Sequence, residues 1–332
     1  MKKTFLMMAL IATGAAMLMT ACTKENGPKD ENNQQEETVV PDVMGFDEEG
    51  ASYSMFSVSA TQQVHFSRGN LQYNPLTNKW RFAEHQFDYI AEEDTNVSFN
   101  YNGWIDLFGW GTSNWNSGAH YYKPWDVSTD GEGYMPGNDW TNDLTGDYAE
   151  ADWAWHNHIQ NGGNIEHVWR TLTASEWKYL LEERTDAADK WGLATVGPIN
   201  GMVILPDNWT LPEGLTFIPG TDVSMVDNYS NCSSYTYAEW SQMEAAGAVF
   251  LPAAGFRVGL TGDNVHYPDE KIRVDGAHLG GYYWTSSHYD TPENDFKKRY
   301  AYYMFFRTHI YNSNSSMLRS FGFSVRPVVD VD

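Results

Sequence analysis

The chain has ten histidines and 44 Asp plus Glu residues, raw material for metal or acid–base chemistry. The densest group is Asp152-Trp-Ala-Trp-His156-Asn-His158, followed by His167. An H-x-H pair on a strand turns both imidazoles to one side, a beginning for zinc or copper. No third ligand stands at a diagnostic spacing, and neither H-E-x-x-H nor paired cysteines occur, so hydrogen-bonding histidines are expected instead. Asp126-Val-Ser-Thr-Asp130-Gly131-Glu132 carries calcium-friendly oxygens outside the EF-hand register. Calcium therefore has candidate ligand atoms but no motif, and no cofactor is expected. Carboxylate pairs of the kind that hydrolyse glycosides are plentiful in so acidic a chain, but none is singled out. There is no G-x-S-x-G elbow and no Gly-rich phosphate loop ending in Lys-Ser/Thr. On these residues the chain does not read as an enzyme.

Its most informative reactive residue is Cys22. Lys2 and Lys3 precede an apolar run from Phe5 to Met19, and Met19-Thr20-Ala21-Cys22 closes the segment. About 15 apolar residues are too few to span a bilayer comfortably, and the flanks are those of an export signal. The closing motif resembles the lipobox of bacterial lipoproteins, with Met19 where Leu is usual. The resemblance implies a signal peptide over 1–21, acylation of Cys22 (palmitate among the chains) and attachment to the outer membrane. Acidic residues soon after the cysteine also resemble a surface-export signal. With Cys22 spent on lipid, Cys232 has no partner in the chain, and no disulfide is expected.

Charge narrows the partners. Twenty-one Lys plus Arg against 44 Asp plus Glu leave −23, which argues against nucleic acid and against peripheral binding to anionic lipid. Membrane contact is expected through the lipid alone. Fourteen Trp, 20 Tyr and 16 Phe with few long helical patterns point to a loop-rich, sheet-containing globule.

The elements that must position these residues follow from patterning. Residues 22–52 are rich in Glu, Asp, Asn and Gln without a hydrophobic period, as in a disordered acidic tether. One domain is expected over 53–332. Phe56–Ser59, Val64–Ser67, Asn70–Tyr73 and Lys79–Phe82 alternate like half-buried strands. Gly103–Gly111 reads as core with tight turns, and 112–164 as a long polar insertion. Thr173 and Glu176 form a T-x-x-E capping box, after which Trp177, Leu180 and Leu181 share a helical face. A second helix is expected over Tyr237–Ala246, leading into the buried run Ala248–Pro252. From Gly280 onward strand and loop are expected.

Trp169-Arg-Thr-Leu-Thr-Ala-Ser-Glu-Trp-Lys-Tyr-Leu180 resembles the helix start of the formylglycine-generating-enzyme branch of the C-type lectin fold. Phe250-Leu-Pro-Ala-Ala-Gly-Phe-Arg257, Gly281-Tyr-Tyr-Trp-Thr-Ser-Ser287 and Gly322-Phe-Ser-Val-Arg-Pro-Val328 resemble its C-terminal core. They are similar to bacterial major-paralogous-domain lipoproteins and to the variable proteins of diversity-generating retroelements. The resemblance covers most of Phe56 to Val329 and implies an α+β, C-type lectin-like fold with short antiparallel sheets and about two helices. It departs from the enzymes in lacking their cysteine pair, and from calcium lectins in lacking E-P-N and W-N-D motifs. An enzyme of that ancestry is the least favoured reading.

In the retroelement family, adenine-directed mutagenesis writes residues between Y-W-S-S-S and G-x-S-V-R. The family pattern lies on Ala301–Arg326 without a gap. It implies variable, ligand-contacting positions at Tyr303, Phe305, Arg307, Thr308, His309, Tyr311, Ser315, Ser320 and Phe321, with His288 and Tyr289 added just after Ser287. Strand alternation puts Tyr303, Phe305 and Arg307 on one face. Arg307 belongs outside, so Tyr303 and Phe305 are expected to be exposed, a composition suited to recognition. The expected partner is a surface ligand, protein or glycan. The alternative is glycan binding by the Trp-rich insertion, with Trp140 and Trp153 the residues to test.

Overall fold

A computed structural model describes residues 44–90, 103–115, 131–220, 229–258, 273–290, 297–308 and 310–331. Cys22, His309 and Asp126–Asp130 lie outside the described residues.

In chain order the strands are β1 (Phe56–Ser57), β2 (Gln63–Phe66), β3 (Leu71–Asn74), β4 (Lys79–Phe82), β5 (Trp191–Val196) and β6 (Ile199–Ile204). They continue as β7 (Ser233–Tyr235), β8 (Val249–Pro252), β9 (Phe256–Arg257), β10 (Val274–Asp275), β11 (Gly280–His288), β12 (Tyr300–Arg307), β13 (Ile310–Leu318) and β14 (Val328–Asp330). The helices are α1 (Trp153–His156), α2 (Ala174–Lys178) and α3 (Tyr237–Ala245). This is a loop-rich α+β arrangement of short sheets: β7-β5-β6-β8, β11-β12-β13, β1-β2-β14 and the pairs β3-β4 and β9-β10. Among the described residues these strands pair with one another antiparallel, except β5 with β7. β2 takes β14 as a neighbour, Val328 opposite Phe66, so both ends of the folded unit close one sheet.

The helices form where the caps demand. At α2 the Thr173 hydroxyl accepts from the Glu176 N–H at 3.2 Å, and the Glu176 carboxylate accepts from the Thr173 N–H at 2.7 Å. The helix runs on as a π-helical turn over Tyr179–Glu183, and Trp177, Leu180 and Leu181 are all buried. Thr236 and Glu239 build the same reciprocal cap at α3.

The sheet β11-β12-β13 divides two cores. Alternation sends Trp284, Ala301 and Tyr303 into one, with Phe108, Trp110, Trp153 and Phe323. Tyr283, Met304 and Phe306 enter the other, with Trp177, Leu180 and Val328. Gly281 stands opposite Phe306, and a side chain there would meet the Phe306 ring, so the close pairing needs glycine.

Two boundaries differ from the sequence expectation. Folded structure begins before residue 53: the Asp47 carboxylate turns the chain by accepting from the N–H groups of Glu49 and Ala51, and Phe46 bridges Ser52. An acidic side chain that accepts from main-chain N–H groups two and four residues on holds this stretch in a turn despite its tether-like composition. The polar insertion is likewise no mere surface loop, since Leu144, Ala151, Trp153, Ala154 and Ile159 are core residues.

Candidate functional site

Aromatic pairs fix the C-terminal sheet. Trp284 lies opposite Tyr303, and Tyr282 opposite Phe305. On the far side of β12, Phe305 lies opposite Asn312, Arg307 opposite Ile310 and Tyr303 opposite Ser315. One face therefore carries Trp284, Tyr303 and Ser315 in one row, Tyr282, Phe305 and Asn312 in the next, and Gly280, Arg307 and Ile310 in the last.

That face is not uniformly exposed, contrary to the expectation for Tyr303. Tyr303 is only 6% exposed. The Phe323 ring lies 4.7 Å from it and the Trp284 ring 6.2 Å, and Trp284 is pinned by its Nε1–H donating to the Phe108 carbonyl at 2.6 Å. The segments around Phe108 and Phe323 thus roof the inner end of the strand. Further out the roof ends. Phe305 and Tyr282 are half-buried, with rings 5.7 Å apart and 9° from parallel, and Phe256 meets Tyr282 edge-on at 4.8 Å. Beyond them Arg307 and Asn312 are exposed, and Ile310 is 46% exposed.

The other expected site residues scatter. Ser320 and Phe321 are buried, Phe321 stacking on Phe256 at 6.1 Å, so neither is a free contact residue. Tyr311 faces the opposite side of the sheet, its ring 4.4 Å from that of Trp191 and its phenol pushed up by burial. Thr308 is half-buried at the hairpin tip, and Ser315 is half-buried beside Tyr303. His288 and Tyr289 sit at the far end of β11: the His288 main-chain N–H and Nδ1 both meet Asp143 Oδ1, at 2.7 and 2.6 Å. Tyr289 packs edge-on against Tyr302 at 5.0 Å. Arg307 lies six positions along the strand from Ala301, which is opposite His288; at strand rise this is about 20 Å. Of the ten expected residues that are described, the structure gathers Phe305, Arg307 and Thr308 at the open end. It adds Tyr282, Phe256, Asn312 and Ile310, which only the strand register could have linked to them.

Cys232 and Tyr229 lie behind this end. Burial pushes the Cys232 thiol up to about 11, and burial with Cys232 close by raises the Tyr229 phenol far above its usual range.

The histidines of the insertion are hydrogen-bonded. His156 stands at the end of α1 rather than on a strand. It and His167 both contact Glu150, each at 2.6 Å, while His158 contacts Glu166 at 3.1 Å. Burial raises the Glu150 carboxyl, but the two imidazoles outweigh it and hold the group below its usual value. Among the described residues no group of three or more His, Cys, Asp or Glu is arranged to hold a metal. Of the two tryptophans considered for glycan binding, Trp153 is structural, wholly buried and donating from Nε1 to the Thr112 hydroxyl at 3.0 Å, whereas Trp140 is half-buried with the Arg319 guanidinium 5.3 Å from its ring.

No family model, curated protein or solved structure matches this chain.

Proposed function

We propose that this chain is a lipid-anchored surface protein, acylated at Cys22 and carrying a C-type lectin-like domain. That domain binds a protein or glycan ligand non-covalently through the open end of the β11-β12-β13 sheet. The observation that carries the reading is the pair of near-parallel, half-buried rings of Tyr282 and Phe305, continuous with exposed Arg307, Ile310 and Asn312. Large rigid rings give contact area at little entropic cost, while Arg and Asn supply adaptable hydrogen bonds. The reverse face is packed into a core, so the rings are held in place before any partner arrives.

Under the retroelement reading, the positions free to vary are Phe305, Arg307 and Thr308, whereas Tyr303 and Phe321 serve the scaffold. A genomic search tests this. A near-repeat of the 3′ coding segment beside a reverse-transcriptase gene, differing at adenines in the codons of the open end, is the expected finding. Differences concentrated at Tyr303 and Phe321 instead would refute the assignment. Labelling with an alkyne fatty acid, lost on Cys22→Ala, tests the anchor; labelling that persists in the variant refutes it.

A further inference from the structure

A second concavity lies away from the sheet end, and its walls are built by the Trp169–Leu180 motif together with the insertion. Its volume is about 330 Å³, at the small end of ligand sites, which run from about 300 to 1,000 Å³. Trp155 and Leu144 supply the apolar wall, and Trp155 is half-buried with its ring 5.2 Å from that of His167. Arg170, Thr171 and Asp330 supply the polar wall.

That polar wall is pre-set. Arg170 donates to both oxygens of Glu176, at 2.7 and 2.9 Å, and to both oxygens of Asp330, at 2.6 to 3.1 Å. Glu176 is itself fixed as the reciprocal cap of α2. Burial alone would lower the Arg170 guanidinium; Asp330 and Glu176 outweigh it and keep the group firmly charged. Asp330 Oδ2 accepts one N–H, at 3.1 Å, and has lone-pair capacity left. The Thr171 hydroxyl gives its proton to Asp152 Oδ1 at 2.9 Å and so presents an acceptor. Thr145 is exposed at the rim, and its hydroxyl caps nothing.

Charge decides what such a cleft takes. A cationic ligand would face the Arg170 guanidinium, and an anionic one would face Asp330 and Asp152. What fits is a neutral molecule with one apolar face for the indole and hydroxyls around its edge. We propose that this cleft binds a single neutral pyranose ring, stacked on Trp155 and hydrogen-bonded to Asp330, Thr171 and Thr145. The site is independent of the sheet end, and the two fail separately.

The test is a ligand-observed NMR titration of the full chain in a polyoxyethylene detergent, which offers no sugar headgroup. Methyl glucopyranosides, galactopyranosides and mannopyranosides are the probes, carried through the millimolar range. Binding of at least one is expected. Trp155→Ala and Asp330→Asn should each weaken it about tenfold or more, and Thr145→Val by less. Phe305→Ala, at the other site, should leave it unchanged. Thermal melts of each variant identify any that are unfolded, and Thr145→Val at the exposed rim keeps the test open should the others not fold. The assignment is overturned if no pyranoside binds, or if binding survives both Trp155→Ala and Asp330→Asn. Binding of choline or inorganic phosphate in place of the pyranosides also overturns it.

Discussion

Replacing Tyr303 and Arg307 in turn by asparagine, a residue that adenine-directed mutagenesis can write, separates scaffold from contact surface on one strand. Both side chains leave the same face of β12, four residues apart. Tyr303 is 6% exposed and lies among the rings of Phe323, Trp284, Tyr282 and Phe305. Cutting a buried aromatic ring down to a small side chain costs about 3–5 kcal/mol, from lost transfer energy plus the cavity left behind. The described fold runs from residue 44 to residue 331. For a unit of this size a melting temperature falls by about 2 °C per kcal/mol, the low end of the usual range, so Tyr303→Asn should lower it by about 6–10 °C. Arg307 is exposed, and Arg307→Asn should stay within about 0.5 kcal/mol, or about 1 °C. Phe305, half-buried, should fall between. Calorimetric melts of the three variants decide the matter. A Tyr303→Asn protein melting within about 2 °C of the parent would refute the roofed-strand account, as would Arg307→Asn costing as much as Tyr303→Asn.

Asp152 gives a pH signature. It is buried, and burial pushes its carboxyl from 3.8 up to about 6, against the pull of the Thr171 and Ala154 donors. The folded state therefore holds a proton that the unfolded chain releases, and the contribution of Asp152 to stability should fall as pH rises from about 4 to about 6, by about 3 kcal/mol in all. The stability difference between the parent and Asp152→Asn, from denaturant midpoints across that range, should change by that amount because every other titrating group is common to both; a difference that does not vary with pH refutes the assignment. Arg319 is buried and donates to the carbonyls of Tyr300, Tyr134 and Trp140 at 3.1, 2.9 and 2.7 Å, between the rings of Trp110 and Trp140. Arg319→Met leaves three carbonyls without that donor and should cost about 3 kcal/mol or more, with new protease cleavage between Tyr134 and Trp140; unchanged cleavage would show that Arg319 does not hold that segment.

Local signals were legible wherever a few neighbouring residues settle the outcome. Thr173 with Glu176, and Thr236 with Glu239, specify helix starts because the cap closes within four residues. The buried run at Val249–Pro252 and the strands after Gly280 follow from composition and alternation in the same way. The candidate site was legible only in part. Arg307 lies outside because a charged side chain leaves a strand toward water, but the same rule extended along β12 does not hold at Tyr303. What covers Tyr303 is Phe323, about twenty residues on, and the region of Phe108, nearly two hundred residues back.

The sequence by itself determined the helix caps, the strand alternation, the acidic balance of the chain and the segment that ends in Cys22. These depend on neighbours along the chain or on totals. Tertiary structure alone decided which part of a largely aromatic strand meets solvent, and that Tyr282 completes the row of Phe305. It also decided that Arg170, Glu176 and Asp330 meet across the cleft beside Trp155. The physical reason is that exposure and hydrogen bonding are set by whatever lies opposite in space. For β12 the opposing residues come from β11, from Phe323 and from Phe108, and only the folded register brings them there.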